Sequence, residues 1–310
     1  MDKVIRTFGN MLAKYSIKQK NINVHSNHLI FAEPRGGSTW LMETIQMITQ
    51  EPVIWEPLHL GRKNNPFKKL NFEWRQYIPE EMEWEEAKIL FSKLFSGKIL
   101  ADKVILHSSL SQVLNSNSLL FKFCRGNALL PWITRNFQFE YIPIYIVRHP
   151  FAVVCSQIRH GAWDNTALKF QLSNTLSQHS LYTNHINILD SLTTKEEILT
   201  AQWCLSNSMT IAKSGKTEKW LTINYEDLVI ESDLILQKIL NCWNMEYDIT
   251  KLDLQKDSST TQADSPVSKQ ERLSLWRKYF SSSSIEKMQR ILDHFHIDMY
   301  SKNQIIPEYT

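Results

Sequence analysis

The chain has 310 residues, 43% of them hydrophobic, and is long enough to bury a sizeable core in one or two domains. Its formal net charge of +3 at pH 7 gives no support to general nucleic-acid binding, although basic residues can still gather around an anionic ligand. Cys124, Cys155, Cys204 and Cys242 have no C-x-x-C spacing, so we expect reduced, packed thiols, and no zinc-binding pattern is present.

The first 20 residues mix apolar side chains such as Met11 and Leu12 with five basic ones. This pattern predicts an amphipathic basic helix that is too polar for a signal sequence or a membrane span. Most such helices pack on their own domain, and a peripheral membrane role is the minority alternative. With no transmembrane segment in a chain taken as full length, we expect a cytoplasmic protein.

The segment 34–40 reads PRGGSTW and lies between an apolar run at 29–32 and a helix-like run that begins at Leu41. A strand that leads through a glycine turn into a helix leaves several backbone N–H groups pointing at one place, where an anion is favoured. The turn adds donors of its own, which are the Arg35 guanidinium and two hydroxyls. The members that we expect to bind a phosphate are Arg35, Gly36, Gly37, Ser38 and Thr39, and Trp40 follows them directly.

A second segment also combines a strand, a following helix and side chains that can bind a phosphate. Residues 141–148 form a β-branched and aromatic strand that ends in Arg148, and 150–160 follow as a helix that begins at Pro150. Ser156 comes eight residues after Arg148, so the guanidinium and the hydroxyl can close on one phosphate. Separately, each is an ordinary surface group, and the pair is what indicates a site.

Alternating strands and helices predict an α/β fold, with a parallel sheet covered by helices on both faces and ligands at the carboxyl ends of the strands. No linker divides the chain, so we expect one domain over 1–310, with a lead-in at 1–27 and a core at 28–300. The predicted strands are 28–33, 118–123, 141–147 and 219–224, and the predicted helices are 39–50, 84–96, 126–136, 150–160, 195–213, 231–243 and 284–295.

Taken together, these segments resemble the sulfotransferases that use PAPS (3′-phosphoadenosine-5′-phosphosulfate). The PRGGSTW loop is similar to that family's 5′-phosphosulfate loop, and Arg148 and Ser156 match its Arg and Ser for the 3′-phosphate. Tyr225, in the sequence NYEDL, matches a family Tyr near the adenine, and Ser259 loosely matches a late Ser that reaches the nucleotide. The resemblance covers about 28–300. It implies a P-loop-NTPase-like fold, PAPS as the sulfate donor and no required metal.

The reaction needs a base for the acceptor hydroxyl, and Glu56 is our choice. It lies 21 residues after Arg35, which is the spacing that tyrosylprotein sulfotransferases show, and carbohydrate sulfotransferases have a similar Glu-Pro-Leu segment. We expect Trp55 to desolvate this carboxylate and raise its pKa. His59 is the rival base, His107 ranks third, and His149 and His160 are expected to hold local structure.

A cation is also needed, on the oxygen that takes up charge, and we assign it to Lys122 together with Arg35. Lys122 interrupts an apolar strand 26 residues before Arg148, as in the tyrosylprotein and carbohydrate branches. The family's usual Lys-Asp-Pro is here Lys122-Phe123-Cys124, and the alternative for Lys122 is an edge-strand side chain that faces water.

The leading hypothesis is therefore an enzyme that sulfates a hydroxyl of a carbohydrate or other small-molecule acceptor, with no nucleic-acid partner. We expect the acceptor to bind at 56–82 and 161–194, which lack a clear period. The alternatives are a P-loop kinase and a non-catalytic nucleotide-binding protein. The sequence SGKT at 214–217 ends like a Walker A motif, but the position of its first glycine is Thr210, so we interpret it as a helix end.

Overall fold

A computed structural model describes residues 2–105, 107–161, 173–261 and 268–308. Its sheet contains five parallel strands in the order β2-β3-β1-β4-β5. The strands are β1 (His28–Ala32), β2 (Val53–Trp55), β3 (Leu120–Cys124), β4 (Ile144–Val147) and β5 (Leu221–Asn224). This architecture confirms the predicted α/β class with a parallel sheet flanked by helices.

The α-helices surround the sheet and account for most of the remaining described chain. They are α1 (Asp2–Gln19), α2 (Ser38–Thr49), α3 (Glu85–Phe95), α4 (Leu110–Asn115), α5 (Leu130–Asn136), α6 (Pro150–His160), α7 (Asn174–Ser177), α8 (Ser180–Thr183), α9 (Ile186–Ser191), α10 (Lys195–Lys213), α11 (Tyr225–Ile230), α12 (Ser232–Cys242), α13 (Lys269–Tyr279) and α14 (Ser282–His294). Within the described ranges, no helix is both long and apolar enough to cross a bilayer.

Both faces of the sheet are buried, which explains why β1 is apolar almost throughout. Leu29 and Phe31 point into one hydrophobic core, while Ile30 and Ala32 point into a second core on the opposite face. A strand covered on both sides has no face left for polar residues, so it becomes a continuous apolar run. That run is what made the strand recognisable in the sequence.

The four predicted strands are confirmed to within a few residues, but β2 was missed because it has only three residues. The predicted helix 126–136 is a 3-10 turn at Asn127–Leu129 followed by α5, because Pro131 falls at the start of that helix. The helix end at SGKT is confirmed, since α10 stops at Lys213 and Gly215 takes a positive φ of 71°.

The N-terminal helix packs on the rest of the chain through Ala13 and Ile17, which are buried. Met11 and Leu12, which the sequence assigned to its apolar set, are exposed. The cysteines are free thiols as expected, and three of them are buried, but Cys242 is exposed and the expectation of a packed thiol is wrong there.

Candidate functional site

A cavity of about 520 Å³ lies where the chain leaves the carboxyl ends of the strands. Nearly all the residues singled out in the sequence line it. These are Arg35, Gly37, Ser38, Thr39, Trp40, Glu56, His59, Lys122, Arg148, Ser156 and Tyr225. We call the part around Arg35, Arg148 and Ser156 the arginine end, and the part around Glu56, Lys122 and Arg125 the glutamate end.

The PRGGSTW loop begins directly after β1 as a tight turn. The N–H of Gly36 donates to the Glu33 carbonyl over 2.8 Å, and Arg35 adopts a left-handed conformation with φ 71°. Gly36 is thereby tied to the turn itself and is not among the cavity-lining residues. The loop ends at Gly37, which begins α2 without a side-chain cap, so the first N–H groups of α2 stay available at the cavity.

Gly37 meets two separate demands. Its φ of 95° lies in the left-handed region, and a Cβ at this position would stand 2.1 Å from Cδ2 of Tyr225. The Tyr225 ring therefore lies directly against the loop backbone, and only a glycine permits that approach. This contact fixes Tyr225 beside the place that the sequence assigned to a nucleotide.

At the arginine end, side chains from two strand exits meet. Nε of Arg35 donates to Oγ of Ser156 over 3.1 Å, and Nη1 of Arg148 donates to the carbonyl of Arg35 over 2.8 Å. The Arg148 guanidinium stacks on Tyr225, with Cζ 4.3 Å from the ring centroid. The sequence predicted this convergence from the β1 and β4 segments, and the structure brings all of these side chains together.

The arginine end concentrates positive charge in a half-buried place. Burial, and secondly the charge of Arg148, lower the pKa of Arg35 below its usual value. Arg159 and His160 also line this part of the cavity. Nε of Arg148 is buried without a hydrogen-bond partner in the described chain. An anion placed here would relieve the mutual repulsion of these cations and supply acceptors for their donors.

The glutamate end forms where β2 and β3 stop. Glu56 follows β2 and Arg125 follows β3, both in left-handed conformations with φ of 44° and 67°. Oε1 of Glu56 lies 3.2 Å from Nζ of Lys122, and its Oε2 lies 3.4 Å from Nη1 of Arg125. Left-handed backbone costs about 1–2 kcal/mol for such residues, so the rest of the fold must hold these two turns in place.

The expected rise in the pKa of Glu56 is wrong. Burial does act to raise this pKa, but the charges of Lys122 and Arg125 outweigh it and lower the value to about 2. Desolvation by Trp55 does not decide the pKa of Glu56, because the Trp55 ring itself contacts the ammonium group of Lys122, with Nζ 3.6 Å from the ring centroid. Glu56 is therefore ionised throughout the neutral range.

Lys122 is buried, with only 3% of its side chain exposed, so the alternative of an edge-strand lysine facing water does not hold. It lies on β3, which is flanked by β2 and β1 within the sheet. Its ammonium group is sandwiched between the Trp55 ring and the Glu56 carboxylate. A buried cation needs such partners, and here all three groups line the cavity.

The histidines differ in their surroundings. His59 lines the cavity with a buried Nδ1 that has no partner in the described chain, and burial followed by the charge of Arg125 lowers its pKa, which keeps the ring neutral at pH 7. His107 stacks on the far face of Trp55 at 3.8 Å and is outside the cavity lining. His149 caps α6, as expected of a structural residue, whereas His160 lines the cavity.

Ser259 does not point at the cavity. Its hydroxyl and its N–H both donate to the Glu43 carboxylate, and its neighbours Ser258, Thr260 and Thr261 line the cavity instead. The carbonyl of Thr260 accepts from Nη1 of Arg35 over 3.4 Å. The late polar segment thus does reach the arginine end, although through other residues than the one chosen from the sequence.

Of the two segments expected to bind an acceptor, 56–82 contributes Glu56 and His59 to the cavity, while its Phe67 and Tyr77 are buried in the core. In the second segment, residues 162–172 lie outside the described residues, and 173–194 form α7, α8 and α9. In the described ranges, no group of three or more His, Cys, Asp or Glu residues is placed to hold a metal ion.

Sequence reasoning missed Arg125. Its guanidinium stacks on Trp74, with Cζ 5.0 Å from the ring centroid, and also contacts Glu56. The available signal was its position, since it comes two residues after the predicted strand 118–123 and three residues after Lys122. Its side chain joins the cavity only because β2 and β3 are neighbours in the sheet.

No family model matches this chain, and no curated protein is found similar to it. Among solved structures, it is similar to a sulfotransferase domain from the curacin biosynthetic pathway, with 16% identity over 87% of this chain and 97% of that one and a TM-score of 0.49. The sulfotransferase domain of the Synechococcus PCC 7002 olefin synthase gives 17% identity, 91% and 98% coverage and a TM-score of 0.46. The chain is also similar to mouse sulfotransferase SULT7A1 complexed with PAP, with 13% identity over 91% of this chain and 88% of that one and a TM-score of 0.45. We base the function on the site and not on these similarities.

Proposed function

We propose that this protein is a PAPS-dependent sulfotransferase that moves a sulfuryl group to a hydroxyl of a small-molecule or glycan acceptor by in-line displacement. The observation that carries the proposal is the cavity itself. It joins a cluster of arginine and hydroxyl donors that follows β1 and β4 to a paired carboxylate and lysine that follow β2 and lie on β3. One end suits a polyanionic nucleotide and the other suits proton transfer.

The residues of the arginine end fit PAPS. Arg148 and Ser156 would hold the 3′-phosphate, and the unpartnered Nε of Arg148 is a donor that such an anion would satisfy. Arg35 starts in the loop and reaches Ser156, so its charge would lie between the two phosphate positions. Tyr225, whose ring lies under the Arg148 guanidinium and lines the cavity, would lie near the adenine.

The loop residues would hold the phosphosulfate. Ser38 and Thr39 are buried at the first turn of α2, and the uncapped N–H groups of that helix face the cavity. Trp40 donates its indole N–H to the Lys256 carbonyl over 3.0 Å and so ties the loop to the late segment. When bound, PAPS supplies the sulfuryl group and a phosphate leaving group.

At the glutamate end, Glu56 is our proposed base and takes the proton from the acceptor hydroxyl. The hydroxyl oxygen forms its bond to sulfur as the bond from sulfur to the phosphate oxygen breaks, and that oxygen keeps the electron pair. Lys122 and Arg35 supply the positive charge that stabilises the departing oxygen. His59, neutral and within the cavity, remains the alternative base.

The test is binding followed by turnover. Calorimetry with a chelator present should show binding of 3′-phosphoadenosine-5′-phosphate (PAP), and radiolabelled PAPS should transfer its label to an acceptor from a panel of sugars, phenols and hydroxy acids. Binding that requires Mg²⁺, or a preference for ATP, would contradict the donor assignment. Binding of PAP without transfer to any metabolite of a whole-cell extract would favour the non-catalytic alternative.

A further inference from the structure

Arg125 occupies a position at the glutamate end that the transfer reaction does not itself require. Its guanidinium lies between the Trp74 ring and Glu56, it lines the cavity, and only 14% of its side chain is exposed. A guanidinium carries five N–H donors. In the described chain, it donates to one oxygen of Glu56, at the long distance of 3.4 Å. Most of its donors therefore remain available toward the cavity.

The same contact works against Glu56 as a base. Each carboxylate oxygen is held by a cation, Oε1 by Lys122 and Oε2 by Arg125. The pair of cations lowers the pKa of Glu56 to about 2, which leaves it ionised but weakly basic. Lys122 has an evident second partner in the proposed reaction, because it stabilises the departing oxygen. A corresponding second partner for Arg125 has to come from the acceptor.

The aromatic side chains around this end also bear on the acceptor. Both faces of Trp55 are covered, one by Lys122 and the other by His107. Trp74 has Arg125 over its ring and His59 against it in an edge-on contact at 5.1 Å. Trp55 therefore has no free face on which a neutral sugar ring can stack, and Trp74 is not among the residues that line the cavity. Charge is the recognition that this end of the cavity offers.

We propose that Arg125 binds an acidic group of the acceptor (a carboxylate, sulfate or phosphate close to the reacting hydroxyl), and that this contact draws the guanidinium away from Glu56 and leaves Glu56 free to accept the hydroxyl proton. This inference rests on the proposed sulfotransferase function and adds the class of acceptor. It makes Arg125 the residue that determines specificity, because it alone of the cavity cations is placed beside the base without a role toward the donor.

The experiment compares Arg125→Gln with Arg62→Gln. Arg62 is a nearby guanidinium that donates to the Lys103 carbonyl and is not among the residues that line the cavity, so its variant removes the same charge without touching the acceptor position. The probes are methyl β-D-glucuronide and glucose 6-phosphate against methyl β-D-glucoside, and N-acetyltyrosine against N-acetyltyrosinamide. Binding of each probe to the PAP-loaded protein is measured by saturation-transfer NMR, and kcat/KM with PAPS is measured for every probe that reacts.

Wild type should favour the acidic member of at least one set by roughly ten- to a hundred-fold, the range expected for charge-assisted hydrogen bonds. Arg62→Gln should keep that preference, and Arg125→Gln should reduce it to about the neutral level. The carboxylate and phosphate probes show which oxyanion is preferred. Equal binding of acidic and neutral probes in wild type, an unchanged preference in Arg125→Gln, or no binding of any acidic probe would overturn the inference.

Failure of this inference is distinguishable from failure of the proposed function. If PAP itself does not bind, the donor assignment is wrong. If PAP binds and a neutral acceptor is sulfated with full efficiency in Arg125→Gln, the proposed sulfotransferase function is supported and the proposal of an acidic acceptor is wrong.

Discussion

At the arginine end of the cavity, Arg35 and Arg148 donate to a hydroxyl and to carbonyl oxygens, none of which carries a formal charge. At the glutamate end, Lys122 and Arg125 both contact a carboxylate. Uncompensated cations attract a polyanion and gain most when it arrives, whereas a cation paired with a carboxylate keeps that carboxylate ionised. The same residue types therefore donate to neutral groups at one end and hold a carboxylate ionised at the other, and we propose that the first end binds the sulfate donor and the second holds the base.

Two glutamates extend the comparison, the half-buried Glu56 and the buried Glu226. Glu56 has a pKa lowered to about 2 because two cations overcome its burial. Glu226 lies next to Tyr225 in the chain, and burial raises its pKa to about 7, although it accepts hydrogen bonds from the His149 N–H and the Tyr300 hydroxyl. For these two carboxyl groups, contact with full charges, more than depth of burial, decides the direction of the pKa shift.

The largest effect should come from breaking the glutamate end. Glu56→Gln keeps the shape of the side chain but cannot accept a proton at neutral pH, so turnover should fall about 10²–10⁴-fold. PAP binding should stay near the wild-type value or tighten, because Lys122 and Arg125 lose their counter-ion. Single-turnover kinetics and calorimetry measure the two quantities separately.

Glu140→Gln, at an exposed carboxylate, is the matched control and should leave turnover unchanged. His59→Ala should have a smaller effect than Glu56→Gln, mainly on acceptor binding. If Glu56→Gln retains near-normal chemistry while His59→Ala or His107→Ala is inactive, the base is a histidine and the glutamate end serves only to hold charge.

The next effect tests how closely the arginine end is packed. Gly37→Ala forces a side chain into a left-handed position and against the Tyr225 ring. Strain of about 1–2 kcal/mol adds to an overpacking cost of about 1–3 kcal/mol, so both the free energy of unfolding and PAP affinity should drop. Urea denaturation and calorimetry measure these losses.

Gly215→Ala separates the two contributions. Gly215 also has a positive φ, of 71°, but an added Cβ would meet nothing within 4 Å among the described atoms. The free energy of unfolding of Gly215→Ala should fall only by the contribution of backbone strain, and its PAP affinity should stay unchanged. Equal losses in the two variants would show that the contact between Gly37 and Tyr225 is unimportant.

Arg148→Ala tests how much the arginine end contributes to PAP binding. Loss of a charge-assisted contact of about 1.5–3 kcal/mol should weaken PAP binding roughly ten- to a hundred-fold, and Ser156→Ala should cost less. Arg135→Ala, at an arginine paired with Glu81, is the control and should bind normally. Wild-type affinity in a folded Arg148→Ala protein would refute the assignment of the 3′-phosphate.

The smallest effect concerns Glu226 and depends on pH. Its pKa is raised from 4.5 to about 7 in the folded protein, so the unfolded chain ionises first and stability falls as the pH rises between these values. Glu226→Gln cannot ionise, so its stability relative to wild type should improve over the same interval. The pKa shift corresponds to about 3 kcal/mol, of which we expect about 2 kcal/mol between pH 5 and pH 8, since a hydrogen bond that the amide loses lowers the stability of the variant equally at every pH.

Urea denaturation of Glu226→Gln and wild type at about pH 5 and about pH 8 measures this gain. Glu140→Gln should show no such trend. A difference between variant and wild type that is the same at both pH values would mean that Glu226 does not carry the raised pKa.

Much of the fold was visible in the sequence because its information is local. The strands β1, β3, β4 and β5 are apolar runs, and α6 and α10 begin and end at residues with known capping preferences. The strand β2 was not visible, since Val53–Trp55 are too few to form a pattern and become a strand through their pairing with β3. Helix α13, which carries Trp276 and Leu275 to the cavity, was missed as well, because most of its residues are polar and form no apolar run.

The candidate site divides along the same line. The sequence by itself determined the two segments that we propose to bind phosphate, since each is a strand end followed by a turn and a helix whose geometry follows from neighbouring residues. Only the tertiary structure decided the ionisation state of Glu56. Its pKa depends on Lys122 and Arg125, which are 66 and 69 residues away in the chain and become neighbours because β2 pairs with β3. Charge interactions depend on distance in space, and the local sequence does not predict the distances between side chains on different strands.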